Sequence, residues 1–230
     1  MTIHLLPGKV KRYEKLVREF KAIRIIIWLF FRLLDFVFIP LMIIRCFKKK
    51  KTCPPIDNNI LLYKASELSN LIRTQQLTST LVVKTYIDRI KVVNKLLNAV
   101  IDDRFDSAIQ EAKYVDDFVR STKCTINELK IKYPLLGVPI TVKGSIDVAK
   151  LRNTSGLVTR KNVNPAEKDA DAVALAREAG AIPLLTSNIP ELCLNWESIN
   201  NFVGTTKNPY DIRKTAGGSS GGEVNVEEKV

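Results

Sequence analysis

Histidine is almost missing from this sequence: of 230 residues only His4 is one, and it precedes the long apolar run. Without a histidine in the folded part, a Ser-His-Asp triad, a Cys-His dyad and most zinc sites are excluded. Any nucleophilic chemistry must use another base. Cysteine is sparse too, at Cys46, Cys53, Cys124 and Cys193, and no two make a Cys-x-x-Cys pair. A zinc ribbon or dithiol redox motif is thereby excluded, and scattered thiols fit a reducing compartment. Acidic residues are scarce in one place only. Residues 1–51 hold 13 Lys and Arg against 3 Asp and Glu, a net of +10, whereas the remaining residues hold 23 against 21, a net of +2. The basic character belongs to the N-terminal segment, so no nucleic-acid partner is implied. No repeat or low-complexity tract is present.

What is there begins with residues 25–44, IIIWLFFRLLDFVFIPLMII. Twenty mostly apolar residues, at ~1.5 Å each, match the ~30 Å apolar core of a bilayer. A basic segment, 1–24, precedes this membrane helix, and a basic and proline-bearing linker, 45–59 with Pro54-Pro55, follows it. Arg32 and Asp35 interrupt the run three residues apart and can pair on one helix face. Lys21, Arg24, Arg32, Asp35 and Arg45 project to one side, which also permits a helix lying in the interface plane. Trp28, Phe31 and Met42 interrupt that side and favour a spanning helix. The expected location is therefore a membrane, single-pass or monotopic. Basic residues on both flanks leave orientation unread.

From residue 60 onward, helical and strand patterns alternate. Thr78 is placed to cap a helix carrying Val82, Tyr86, Ile90 and Val93 at helical spacing. Ala108, Ala112, Val115 and Val119 mark another helix, with a short strand expected over Asn98–Ile101 between the two. Gly137–Gly144 reads as a strand leading into a loop. Asp169 or Asp171 is expected to cap a helix ending at Glu178, with Gly180 stopping it before a buried strand, 181–185. The alternation predicts an α/β layered domain.

Two features could carry chemistry. Val138, Ile140 and Val142 alternate with Thr141 and Lys143, and both faces of this strand read as buried. A lysine there is costly unless it emerges at the strand end or has a task. Burial disfavours the charged form of a lysine and would suit a neutral base. An ordinary lysine reaching solvent fits the same spacing. The second feature is Thr215-Ala216-Gly217-Gly218-Ser219-Ser220-Gly221-Gly222-Glu223, which could be a flexible linker, a phosphate cradle or part of a hydrolase site. It lacks the lysine of a Gly-x-x-x-x-Gly-Lys phosphate loop.

Together these segments resemble the amidase signature family. The order and spacing agree across Gly137–Lys143, Thr186–Glu191, Gly204–Tyr210 and Gly217–Glu223, with Tyr86–Ile90 and Leu97–Ala99 upstream. The resemblance covers about 60–223, and the apolar helix and Gly-Gly-Glu ending look most like the fatty-acid amide hydrolase 2 type. It implies an amidase-signature fold, a mixed central sheet flanked by helices, present here in its N-terminal portion. It implies a Ser-Ser-Lys mechanism without metal or cofactor. Lys143 would be the general base, and Ser219, after a cis peptide bond, the proton relay. Cys193 would line the substrate site together with Ser219. Gly217, Gly218, Ser220, Gly221 and Gly222 would support the loop. A fatty-acid amide or other amide is the expected substrate and membrane lipid the expected surroundings; oligomeric state is not readable.

The family's attacking serine lies further along than residue 230, and 224–230 departs from the family's pattern. The expectation is a truncated chain without its nucleophile and without acyl-enzyme chemistry of its own. A non-catalytic membrane-bound interaction or regulatory fragment is the alternative. An amidotransferase subunit fits the apolar helix less well.

Overall fold

Ile182–Ser187 is buried at every position and forms the central strand of the folded unit. A computed structural model describes residues 7–46 and 50–223, with side chains for 19–44 and 50–223. His4 and the 224–230 tail lie outside the described residues. The chain divides into two units, 1–49 and 50–230.

The first unit contains one helix, α1, Pro7–Cys46. Its apolar part is exposed on all sides: Phe36 is 80% and Leu33 62% accessible. Arg32 and Asp35 pair at 3.9 Å, and the Arg32 guanidinium lies 5.3 Å from the Trp28 ring centroid. Residues Glu19–Ile44 are long and apolar enough to cross a membrane.

In the second unit α2, Ala65–Arg73, precedes α3, Ser79–Leu97. The Thr78 hydroxyl accepts a hydrogen bond from the Leu81 amide at 3.1 Å and so caps α3. Val82, Val83, Ile87, Ile90, Val93 and Leu97 form its buried face. α3 ends at Asn98, whose φ of 54° is left-handed. The strand expected over 98–101 therefore starts later, as β1, Val100–Asp103. α4, Phe105–Ser121, and α5, Ile126–Lys132, lead to β2, Pro139–Lys143. α6 is Asp171–Glu178, and β3 is the central strand.

Neither Asp169 nor Asp171 caps α6. Ala170 occupies the cap position, while Asp169 accepts from the Ala149 amide at 2.7 Å and pairs with Arg177 Nε at 2.7 Å. Gly180, at φ 97°, turns the chain against the Leu136 backbone, where a Cβ would sit 2.7 Å from Leu136 Cα.

The sheet order is β1-β3-β2, with β1 antiparallel and β2 parallel to β3. This is a mixed sheet, and its helices cover it. One core joins Val83, Ile87, Ile90 and Leu97 of α3 and Ala108 and Ala112 of α4 to Ile182, Leu184 and Leu185 of β3. A separate cluster packs Val142 of β2 against Val148, Leu151 and Val173 of α6. Strand β2 is less buried than its composition implied: only Val142 is fully buried, the others being half-buried. Among the described residues β2 borders β3 on one side only, which leaves it an edge strand. Two short ribbons follow, β4 (Ile199–Asn200) with β5 (Gly204–Thr205), and β6 (Lys207–Asn208) with β7 (Asp211–Thr215).

A charged cluster ties the helices together. Arg104, with a side chain 7% exposed, bonds Glu111 through Nη1 at 2.9 Å and also donates to the Pro183 carbonyl at 2.9 Å. Arg177 donates to the same carboxylate at 3.0 Å. Burial alone would raise the Glu111 carboxyl, but hydrogen bonds and charge from Arg104 and Arg177 outweigh it and hold it below its ordinary value.

A carboxyl so depressed stabilises the fold above the usual carboxylate range, and that contribution is lost as pH falls through its folded value. Glu111→Gln is expected to lower the denaturation midpoint at neutral pH. It should also flatten the loss of stability between about pH 5 and about pH 3 relative to the parent. Leu185→Ala, at a site 0% exposed, should cost about 2–5 kcal/mol in chemical denaturation.

Candidate active site

Lys143 is the last residue of β2, where the sheet opens into loops. The parallel register places Lys143 beside Ser187 and Thr141 beside Leu185. Side chains alternate along a strand, so Thr141 and Lys143 share a face. The glycine–serine loop crosses that face. Thr141 Oγ1 donates to Glu223 Oε2 at 2.7 Å, and Lys143 Nζ donates to Ser219 Oγ at 2.8 Å. These are two contacts between residues 82 and 76 positions apart. The Gly218–Ser219 peptide bond is cis.

The loop is pinned, not slack. Gly222 donates its N–H to the Asn188 carbonyl at 3.2 Å. A Cβ on Gly222 would fall 2.5 Å from both the nitrogen and the oxygen of Asn188, so only glycine fits there. Gly221 donates to Ser198 Oγ at 2.9 Å, and Ser198 Oγ in turn donates to the Gly217 carbonyl at 3.1 Å. Gly217 also bridges to Glu197. A flexible linker does not describe such a segment.

Asn188 is wholly buried and fully engaged. Its amide donates to the Ala99 carbonyl at 2.7 Å, and its Nδ2 donates to Thr206 Oγ1 at 2.8 Å. Its Oδ1 accepts from Asn200 Nδ2 at 2.7 Å. Asn200 also donates to the Ile189 carbonyl at 2.6 Å. The end of β3, the two ribbons and the loop are joined in one polar network. The side chains of Asn188, Asn200 and Thr206 are satisfied within it, as burial requires.

The site thus sets a lysine amine against a serine hydroxyl on a pinned loop. The pair uses no histidine, in agreement with the composition. The family model described as Amidase matches residues 81–225. The chain belongs to the amidase family. Fatty-acid amide hydrolase 2-A of Danio rerio is 46% identical over 173 residues, covering 75% of this chain and 32% of the relative. Fatty-acid amide hydrolase 2 of Homo sapiens is 42% identical over 173 residues, covering 75% and 32%. A solved fatty acid amide hydrolase has TM-score 0.66 and 26% identity, covering 73% of this chain and 28% of that one. The chain thus spans about a third of the length of the curated relatives it matches. The fold is the amidase-signature α/β fold expected from the sequence.

Of the residues singled out in the sequence, the structure brings Lys143 and Ser219 into contact, with Gly217, Gly218, Gly221 and Gly222 around them. Gly218 lies against the backbone of 195–197, where a Cβ would be 2.8 Å from the Asn195 carbonyl oxygen. Ser220 is half-buried, and among the described residues no side-chain hydrogen bond from it supports the loop. That support comes instead from Ser198 and Asn188. Cys193 sits in the turn Glu191–Cys193 at φ 60°, half-buried, with its amide donating to the Pro190 carbonyl at 3.0 Å. It is not hydrogen-bonded to Lys143 or Ser219 among the described residues, but its turn leads into the 195–197 segment under Gly218.

Sequence reasoning missed Asn188, Ser198, Asn200, Thr206 and the Thr141–Glu223 contact. Asn188 and Thr206 lie inside two of the matched segments, and that was the available signal. Ser198 and Asn200 gave none, because their partners are distant in sequence. Gly222→Ala is expected to displace the loop from Asn188 at a cost of about 1–3 kcal/mol. Hydrogen exchange should then rise over 216–223 while β3 stays protected.

Proposed function

We propose that this chain supplies the base and the proton relay of an amide-hydrolysing site that acts on fatty-acid amides. The observation that carries the reading is the 2.8 Å hydrogen bond between Lys143 Nζ and Ser219 Oγ, in a member of the amidase family. Lys143 in its neutral form takes the Ser219 proton, and Ser219 takes the proton of an attacking serine. That serine adds to the amide carbonyl, and backbone N–H groups beside it stabilise the oxyanion. The C–N bond breaks as the relay returns the proton to the leaving amine, giving an acyl-enzyme. Water then releases the acid by the same route in reverse. Cys193 and the backbone around it border the substrate, and α1 attaches the protein to a membrane, where long-chain amides partition.

The attacking serine is not among the described residues hydrogen-bonded to Ser219, whose hydroxyl is bound by Lys143 alone. A base and a relay cannot form the covalent intermediate by themselves. The purified chain should therefore resist labelling by a fluorophosphonate serine-hydrolase probe. Labelling that disappears in Ser219→Ala would show that the relay position is itself the nucleophile.

The base–relay assignment is tested in a chimera that places residues 60–223 of this chain into the matching third of the Danio rerio relative. Hydrolysis of a long-chain fatty-acid amide should be retained. Lys143→Ala and Ser219→Ala should each lower kcat/KM by about a hundred- to ten-thousandfold. Unchanged hydrolysis in Lys143→Ala sinks the assignment.

A further inference from the structure

Arg32 and Asp35 stand in the middle of the apolar run 25–44, within about 4 Å of its midpoint at ~1.5 Å per residue. The short Asp35 side chain lies about 13 Å or more from either end of the run, too far to reach headgroups. Charges at that depth are costly in lipid unless paired. Within one helix they are poorly paired. The 3.9 Å between Arg32 Nη1 and Asp35 Oδ2 is longer than a hydrogen bond, and the two side chains are 63% and 54% exposed. Among the described residues the other contact of the guanidinium is the Trp28 ring. A guanidinium carries five N–H donors and a carboxylate about four acceptor sites, so most of this capacity is unmet.

The two charges also belong to a pattern. Trp28, Arg32, Asp35, Ile39 and Met42 recur at alternating four- and three-residue steps. That is the heptad spacing of a helix seam that meets a second helix. Trp28, Ile39 and Met42 are exposed like the charged pair between them.

We infer that two copies of this chain pair in the bilayer along this seam of α1, with Arg32 of each helix bonded to Asp35 of the partner subunit. This rests on the proposed attachment of α1 to a membrane, taken as a spanning helix. Identical chains insert with the same orientation, so the two helices run parallel about a twofold axis. Arg32 is then offset along the axis by about 4.5 Å from Asp35 of the partner subunit, within the reach of an arginine side chain. The twofold axis makes the second pair with the first. Trp28, Ile39 and Met42 fill the layers on either side. The occupant follows from charge complementarity. The seam carries one cation and one anion, so it complements itself. A helix of unrelated sequence would need both charges at the same two depths, and a second copy has them by identity.

The test reconstitutes the full chain, labelled at its N-terminus with a donor or an acceptor fluorophore, in phosphatidylcholine vesicles. Energy transfer is followed as the vesicles are diluted with lipid. The parent should show transfer that excess unlabelled parent displaces. A variant carrying Arg32→Leu and Asp35→Leu keeps helix propensity and enters lipid more readily. It should need at least about tenfold more chain per lipid for the same transfer. Arg32→Asp and Asp35→Arg should each lose transfer alone and regain it when mixed, because the mixture restores opposite charges only across the seam. No transfer in the parent, or equal transfer in the leucine variant, overturns the inference and leaves the membrane reading standing. Charge-reversed variants that both stay in the vesicles and show no transfer when mixed overturn it as well. Where a charge-reversed variant fails to enter the vesicles, the leucine variant decides. Release of the parent from the vesicles by alkaline carbonate overturns the spanning reading, and this inference with it.

Discussion

Asn188 stands where β3 ends, wholly buried, and the arrangement around Lys143 depends on its hydrogen bonds. One amide side chain and its backbone connect the turn after α3, both short ribbons and the glycine–serine loop. In water such a residue would have many partners. Inside the protein each unmet donor or acceptor carries a penalty of about 1–3 kcal/mol. Any arrangement that leaves Asn188 partly unpaired is therefore disfavoured, and the loop position it selects is the one that sets Ser219 against Lys143. Apolar packing builds the sheet and its helices; this polar node decides where the loop lies upon them.

The energetic division of labour follows from that. Leucine, isoleucine and valine of α3 and β3 make a dry core that is indifferent to pH. The charged cluster of Arg104, Glu111, Arg177 and Asp169 fixes α4 to α6 and reaches β3 at the Pro183 carbonyl. The site itself uses neutral amides and hydroxyls for support. Lys143 meets the Ser219 hydroxyl there, and among the described residues no carboxylate pairs with it.

Much of the fold was legible because it is local. Thr78 and the Val82-to-Val93 repeat mark α3, and the apolar run before Asn188 marks the central strand. The misreadings have local causes as well. Asn98 looked like the start of a strand, but its left-handed conformation closes α3. Asp169 looked like a cap, but an arginine and a backbone amide claim its carboxylate. Of the site, the nearness of Lys143 and Ser219 was expected from a family pattern, whereas composition and spacing alone left a linker, a phosphate loop and a solvent-reaching lysine open. The supporting shell of Asn188, Ser198, Asn200 and Thr206 was not legible. Its bonds join residues whose separation in sequence carries no periodicity.

The 76-residue separation of Lys143 and Ser219 has a consequence for the newly made protein. Contacts between distant segments form after local ones, since loop closure must be met before they contribute. The lysine strand can pair with β3 while the serine loop is still free. The Lys143–Ser219 contact is thus a late product of folding, made only once the loop has settled on the sheet.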